Sequence, residues 1–201
     1  MKIVSPLLAL LLLVSCQNSS VTELQSGIDR QWIGGGEYRV LVMSNAASPK
    51  IRTMLEDHMV ESLQLEGVNA SVSYTTLPSV TSMNVETMNS YLAGNAPAAI
   101  LFMRIGNVQK TETSKKRSSS ALTDELLGAS APGLWETNIS TIVTNYLFVS
   151  GEREPVWMNA IQVDADVDHI SSAVDKYVTQ EFEKMMEAGI VKHLKHPSIH
   201  P

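Results

Sequence analysis

The chain has 201 residues, of which 44% are hydrophobic and 18% are charged, and its formal net charge is −6 at pH 7. This length and hydrophobic content suit one folded domain with its own core rather than two domains. An acidic chain without a stripe of basic residues is a poor binder of nucleic acid, and it is not expected to lie flat on anionic lipid.

The first 15 residues have the three parts of a secretory signal peptide. Lys2 supplies positive charge, residues 7–14 form an apolar core, and the small Ser15 ends the segment. The apolar core is too short for a lasting transmembrane helix. The segment leads directly to Cys16, which is the only cysteine of the chain.

The residues Leu13-Val14-Ser15-Cys16 resemble the lipobox of bacterial lipoproteins at all four positions. The resemblance implies cleavage before Cys16 and attachment of acyl chains, such as palmitate, to its sulfur and to its new amino terminus. The alternative is an ordinary signal peptide with a chance cysteine. Acylation also removes a free thiol that has no internal partner for a disulfide.

The same resemblance implies a location. Two or more acyl chains anchor a protein stably, so Cys16 is expected to hold the chain on a lipid bilayer. In lipoproteins of bacteria with two membranes, Asp after the cysteine tends to mean retention in the inner membrane, whereas this chain has Gln17. We therefore expect a lipid-anchored protein in the outer membrane that faces the periplasm.

Residues 16–36 are predicted to be the acylated amino terminus and a flexible tether. The stretch is mostly polar and closes with three glycines, and about 20 such residues have a root-mean-square reach of roughly 25 Å. The pair Trp32-Ile33 is the exception and is predicted to pin the end of the tether to the domain. The domain is expected to span residues 37–190, and a tail follows over 191–201.

The first long helix has clear signals at both ends. Ser48 is a favourable N-cap and Pro49 a favourable first helical residue, and Gly67 supplies the left-handed residue at the end. Apolar residues recur at steps of three and four along one face, and Glu56 is predicted to lie off that face. A shorter helix is expected over residues 85–92.

Short apolar or β-branched runs predict the strands of the first half. These strands cover residues 38–43, 68–74 and 98–105. The residues from 106 to 134 are predicted to form a long loop with a basic triplet, Lys115-Lys116-Arg117. Long loops are enriched in function, so a binding role is one interpretation of this loop, and a solvated mobile loop is the other.

A hairpin and a helix complete the domain. Strands are predicted over residues 135–149 and 156–163, joined by a charged turn of about five residues. The last helix is expected to start at Asp166 or Asp168 and to end at Gly189. Strands mixed with helices in this order predict an α/β or α+β fold with a single mixed β-sheet of about five strands packed by about three helices.

Candidate metal ligands occur in two places. His193, His196 and His200 have spacings of three and four, but they lie in a terminal tail without a carboxylate or cysteine to complete a site. Asp164, Asp166 and Asp168 alternate as at the opening of a calcium loop. That loop needs glycine at its sixth position, where this chain has His169, and the apolar pattern there predicts helix. We therefore predict no metal site.

The sequence predicts no catalytic residue and no cofactor site. His58 lies beside the apolar stripe of the first helix without a partner in the sequence, so it is interpreted as a boundary residue rather than as a base. No serine lies in a nucleophile elbow, and Cys16 is assigned to lipid. An enzyme is therefore not expected.

The part of the chain from Trp135 onward resembles known envelope proteins. A long strand and a charged turn precede Pro155-Val156-Trp157, which opens a return strand before a closing helix. This layout is similar to small α/β outer-membrane lipoproteins of unknown function, in which the return strand often carries a Val-Trp pair, and to lipoprotein activators of cell-wall synthases. The resemblance extends over residues 37–190 at the level of element order, and it implies a fold and a compartment but no catalytic residue.

The expected function is that of a tethered, non-enzymatic protein-binding module of the cell envelope. Its partners are expected to be the bilayer, through acylated Cys16, and an envelope protein that contacts the loop 106–134 or a sheet edge. The alternative is a structural or accessory subunit of an envelope transport or secretion assembly, in which the domain self-associates into a homo-oligomer.

Overall fold

The structure is a computed structural model that describes residues 19–28, 32, 37–76, 85–95, 98–115 and 134–195. Within these ranges it contains one mixed sheet of seven strands and four α-helices. The strands are β1 Ser19–Ile28, β2 Arg39–Ser44, β3 Asn69–Val72, β4 Ala98–Ile105, β5 Gln109–Lys115, β6 Leu134–Val149 and β7 Trp157–Asp166. The helices are α1 Pro49–Leu65, α2 Val85–Gly94, α3 Ile170–Glu187 and α4 Ile190–Lys195. The predicted class is confirmed, but the sheet has more than the expected five strands.

The strand order is β1-β7-β6-β4-β2-β3. The strands β2, β3 and β4 are parallel to one another, and the other pairs are antiparallel. The strand β6 is long enough to pair with β4 along its second half and with β5 along its first half. The segment that joins β4 to β5 remains beside β6, because Gly106 N donates a hydrogen bond to Ile142 O at 2.8 Å.

The helices lie on both faces of the sheet. Side chains of α1, α3 and α4 share one core with alternate residues of the strands, and Trp157 and Tyr177 are its largest fully buried members. A smaller second core forms where α2 packs on the opposite face of β2 and β4. In the described parts of the chain, no helix is long and apolar enough to cross a membrane.

The helix α1 forms for the predicted reasons. Ser48 Oγ accepts a hydrogen bond from Ile51 N at 3.5 Å, Pro49 opens the helix, and Gly67 follows its end with φ +81°. The prediction for Glu56 is wrong, since its side chain is fully buried with Leu55 and Met59.

The prediction of a flexible tether is wrong for ten of its residues. Ser19–Ile28 form β1, which pairs antiparallel with β7 from Ser19↔Ala165 to Ile28↔Trp157. The strand is polar and mostly exposed, so its own pattern gives little sign of burial. The structure confirms that Trp32 is fixed to the domain, because its ring is buried against Tyr38 and His193.

Two further boundaries differ from the predictions. Gln109–Lys115 of the predicted loop form β5, since they pair with β6 although every one of them is polar. Residues 116–133 lie outside the described residues. The predicted tail begins inside α4, whose residues Ile190, Val191 and Leu194 are buried in the main core.

Candidate functional site

The half of the sheet formed by β6, β7 and β1 has one face that no described helix covers. On this face Tyr146 stands between Phe102 of β4 and Met158 of β7 in the strand register. The helix α2 is the one described helix on this side, and it packs on β2 and β4. Ile142 of β6 is 46% exposed as a result.

The part of this uncovered sheet face around Tyr146 is apolar and aromatic. Tyr146 and Phe148 are half-buried, and their ring centroids are 6.1 Å apart with a tilted geometry. Met158 is paired with Tyr146. Polar groups separate these residues from Ile142, since Thr144 lies between Ile142 and Tyr146, and Gln162 is the partner of Ile142. Tyrosine, phenylalanine and methionine are enriched in protein–protein interfaces, where each removes a large area from water. The face therefore has the composition of a protein-binding surface.

An apolar cleft lies on the other side of the sheet, between the amino-terminal halves of α1 and α3. Its volume is about 290 Å³, and it opens where β2 and β4 reach their carboxyl ends. Ligands of α/β sheets commonly bind outside the carboxyl ends of parallel strands. The side chains that line it are almost all aliphatic, including Ile51, Leu55, Val143, Val163, Ala165 and Val174.

The polar atoms in the lining of the cleft are already used inside the protein. Ser48 Oγ caps α1, and Thr141 Oγ1 donates to Gly106 O at 3.4 Å. The Tyr177 hydroxyl donates to Asn145 Oδ1 at 2.5 Å. A group that enters the cleft therefore gains from burial and not from hydrogen bonds.

A buried polar cluster continues from Tyr177 beneath α3. Asn145 and Asn159 are paired across β6 and β7, and Asn159 Nδ2 donates to Glu181 Oε2 at 2.8 Å. Burial raises the pKa of Glu181 to about 8, and burial raises the pKa of Tyr177 well above its ordinary value. Among the described residues, Glu181 Oε1 and Asn159 Oδ1 have no hydrogen-bond partner. A proton on Glu181 suits this site, because it makes the carboxyl neutral and gives it a donor.

A second buried carboxylate ties α1 to the ends of β2 and β3. Glu56 accepts hydrogen bonds from the backbone N–H groups of Ser44, Ser73 and Tyr74 at 3.0, 2.7 and 3.2 Å. It also forms an ion pair with Arg52 at 2.9 Å. Every oxygen of this carboxylate is satisfied within the fold, so Glu56 acts as a structural connector.

The predicted candidate residues are not brought together into one site. His58 lies 2.9 Å from Asp175, and both are well exposed on the surface of α1 and α3. Asp166 Oδ1 accepts from Asp168 N at 3.0 Å, as expected of a residue that starts a helical segment. The ring of His193 packs against that of Trp32, with their centroids 5.3 Å apart.

The rest of these predictions fall in part outside the described residues. Cys16, His196 and His200 lie there, so the structure does not test them. Asp164 is engaged by Ser20 and Gln162, which donate to it at 3.2 Å. Within the described ranges, no group of three His, Cys, Asp or Glu residues is placed to hold a metal ion.

The uncovered face had a signal in the sequence. Ile142, Tyr146 and Phe148 alternate with the core residues Val143 and Leu147 along β6. Both faces of this strand are therefore apolar, which indicates a strand with a second partner surface. The cleft has no comparable signal, since it depends on how far apart α1 and α3 lie.

No protein-family model matches the chain, and no curated protein matches it. The chain is similar to two solved structures of the PelC dodecamer from Paraburkholderia phytofirmans, one of which is a single-residue variant. The first shares 13% identity with a TM-score of 0.42 and covers 81% of this chain and 93% of that chain. The second shares 13% identity with a TM-score of 0.44 and covers 80% and 93%.

Proposed function

We propose that the chain is a lipid-anchored, non-enzymatic binding module of the bacterial cell envelope. Acylated Cys16 holds it in the outer membrane, its domain faces the periplasm, and it binds another envelope protein through the uncovered sheet face. The lipobox at residues 13–16 supports the anchor. The uncovered sheet face carries the binding proposal.

This face supports a protein partner better than a small ligand. It is a broad surface rather than a pocket. Tyr146 is paired with Met158 across β6 and β7 and contacts Phe148, whereas Ile142 lies further along β6, beyond Thr144. A group of partly exposed aromatic side chains and methionine on a sheet face has the composition that protein interfaces favour. Burial of aromatic anchors at its centre supplies most of the affinity of such interfaces.

The position of β1 supports a domain that works close to the membrane. Cys16 lies three residues before Ser19, and three residues span at most about 11 Å. Ser19 is held in the sheet opposite Ala165, and Ser19 O accepts from Lys176 Nζ at 3.2 Å. The link between lipid and domain is therefore short, and a partner in the same membrane is within reach.

The buried carboxylates support a non-enzymatic role, because each has a structural task. Glu56 joins α1 to two strands, and Glu181 is enclosed beneath α3 with Asn159. Neither lies on the uncovered face.

Site-specific photo-crosslinking in native envelopes tests the proposal. A photoreactive amino acid at Tyr146 is expected to capture one defined envelope protein, and the same amino acid at Glu61, which is exposed on α1, is the control. Ile142→Lys places a charge on the face at an exposed position and is expected to abolish the capture, whereas Val167→Lys, at a position 40% exposed elsewhere, is expected to leave it unchanged.

The outcomes separate the two functions that the sequence allows. Capture of the same protein at Tyr146 and at Glu61 contradicts a specific interface on this face. Capture of a second copy of the chain at Tyr146 favours the self-associating subunit instead.

A further inference from the structure

The apolar cleft between α1 and α3 has no part in the proposed protein contact, and its chemistry restricts what it accepts. Its lining is aliphatic apart from Ser48, Thr141 and Tyr177, whose polar atoms are bonded within the protein. A ligand in it therefore finds few hydrogen-bonding groups to orient it. An aliphatic chain suits such a site, because it needs no polar partner and gains from leaving water.

The cleft adjoins the point where the described chain begins. Ser19, the first residue of β1, pairs with Ala165, whose side chain lines the cleft. Paired strands lie about 4.8 Å apart. Ser19 is 6% exposed, and the Lys176 ammonium group donates to its carbonyl oxygen. The amino-terminal end of the domain is thus fixed next to the floor of the cleft.

The distances and volumes match an acyl chain on Cys16. Cys16 lies three residues before Ser19, which allows at most about 11 Å of chain between them. The cleft volume of about 290 Å³ is roughly twice that of an apolar cavity of about 150 Å³ that holds one benzene molecule. On that scale the cleft accommodates roughly a dozen carbon atoms.

We propose that the cleft is an acyl-chain site and that its occupant is one aliphatic chain of the lipid attached to Cys16. The inference rests on the lipid anchor of the proposed function. The other chains of the lipid stay in the bilayer. The end of the sheet that carries Ser19 and Ala165 then faces the membrane, and the uncovered face of β6 and β7 stands roughly perpendicular to it.

The test measures the reactivity of a single thiol placed in the cleft. Thr141 lines the cleft, and Thr141→Cys changes its size little. Since Cys16 is the only natural cysteine, the new thiol is the only free one in the acylated chain. The full chain is reconstituted in phosphatidylcholine vesicles, and the same variant with Cys16→Ser is measured with the same vesicles present.

Val167→Cys is the matched control, because Val167 is 40% exposed and directly follows β7 at the same end of the sheet. At an occupancy of about 90%, Thr141→Cys is expected to react with maleimide about tenfold more slowly in the acylated chain than in the Cys16→Ser chain. The control is expected to react equally in both. Equal rates at position 141 overturn the proposal, and so does an equal slowing at position 167, since the membrane would then shield this whole end.

Binding of a fluorescent fatty acid, 11-(dansylamino)undecanoic acid, gives a second readout on chains without an added cysteine. The Cys16→Ser chain is expected to bind it and the acylated chain is not. Binding to both, or to neither, overturns the proposal. The mass of the amino-terminal peptide separates failure of the anchor from failure of the acyl-chain site. An unmodified Cys16 overturns the lipid anchor itself, whereas an acylated Cys16 with an unoccupied cleft overturns only the acyl-chain site.

Discussion

Replacing Glu181 with glutamine is expected to make the protein more stable at neutral pH than the unchanged chain. Glu181 is fully buried, and its pKa in the folded state is about 8, compared with an ordinary value of 4.5. Between these values the folded chain holds a proton that the unfolded chain has lost. The free energy of unfolding therefore falls as pH rises through this range and levels off above about pH 8.

The magnitude follows from the distance between the two pKa values. Each pH unit between them corresponds to about 1.36 kcal/mol. Glutamine stays neutral, so the stability difference between Glu181→Gln and the unchanged chain is expected to grow by roughly 4 kcal/mol from about pH 5 to about pH 8. Near pH 5 the two are expected to differ by less than about 1 kcal/mol, since a neutral acid and an amide then fill the same site.

Urea unfolding, followed by circular dichroism at a series of pH values, measures this difference. Glu183→Gln is the matched control, because Glu183 is exposed on the same helix and the substitution is chemically the same. Its stability difference is expected to stay constant with pH. A stability difference for Glu181→Gln that is also constant between about pH 5 and about pH 8 would show that burial does not hold a proton on this carboxyl.

Three other substitutions test the local interactions by the same unfolding measurement. Glu56→Gln is expected to cost roughly 3 to 5 kcal/mol, because the NH₂ group of glutamine would face at least one N–H group that now donates a hydrogen bond to the carboxylate. A cost below about 1 kcal/mol contradicts the connector role. Ser48→Ala is expected to cost about 1 kcal/mol through loss of the cap on Ile51 N, and no change would mean that the cap contributes nothing. His58→Ala is expected to cost less than about 1 kcal/mol, since its pair with Asp175 is exposed, and a larger cost would show that the pair has a structural role.

The elements that the sequence predicted are those with local signals. The helix α1 has a cap, a proline and a terminal glycine, and β4 is an apolar run, so both were located nearly to the residue. The strands β1 and β5 are polar. They form because β7 and β6 have free edges with backbone N–H and C=O groups to pair. Those edges exist only once the sheet has folded, so the residues of β1 and β5 carry no local signal for them.

The uncovered sheet face also has a local signal in the sequence, whereas the burial of Glu56 does not. The uncovered face is visible in the alternation of Ile142 and Tyr146 with Val143 along β6, because both faces of the strand carry apolar residues. The burial of Glu56 was not predictable from the helix pattern alone. It depends on Ser73 and Tyr74, which the parallel pairing of β2 and β3 brings next to Glu56 in the middle of α1.

The cleft and the short link to Cys16 change the expected freedom of the domain at the membrane. A tether of about 20 residues lets a domain sample a radius of roughly 25 Å. With Ser19–Ile28 in the sheet as β1, only two residues separate Cys16, the proposed site of the lipid, from the domain. The proposed anchor therefore sets the orientation of the domain as well as its location.

The mass of the amino-terminal peptide of the mature protein, purified from the membrane fraction, tests whether Cys16 is the lipid anchor. This peptide is expected to begin at Cys16 and to carry the added mass of a lipid with two or more acyl chains. A mature chain that begins at another residue, or one that begins at an unmodified Cys16, would contradict the lipid anchor.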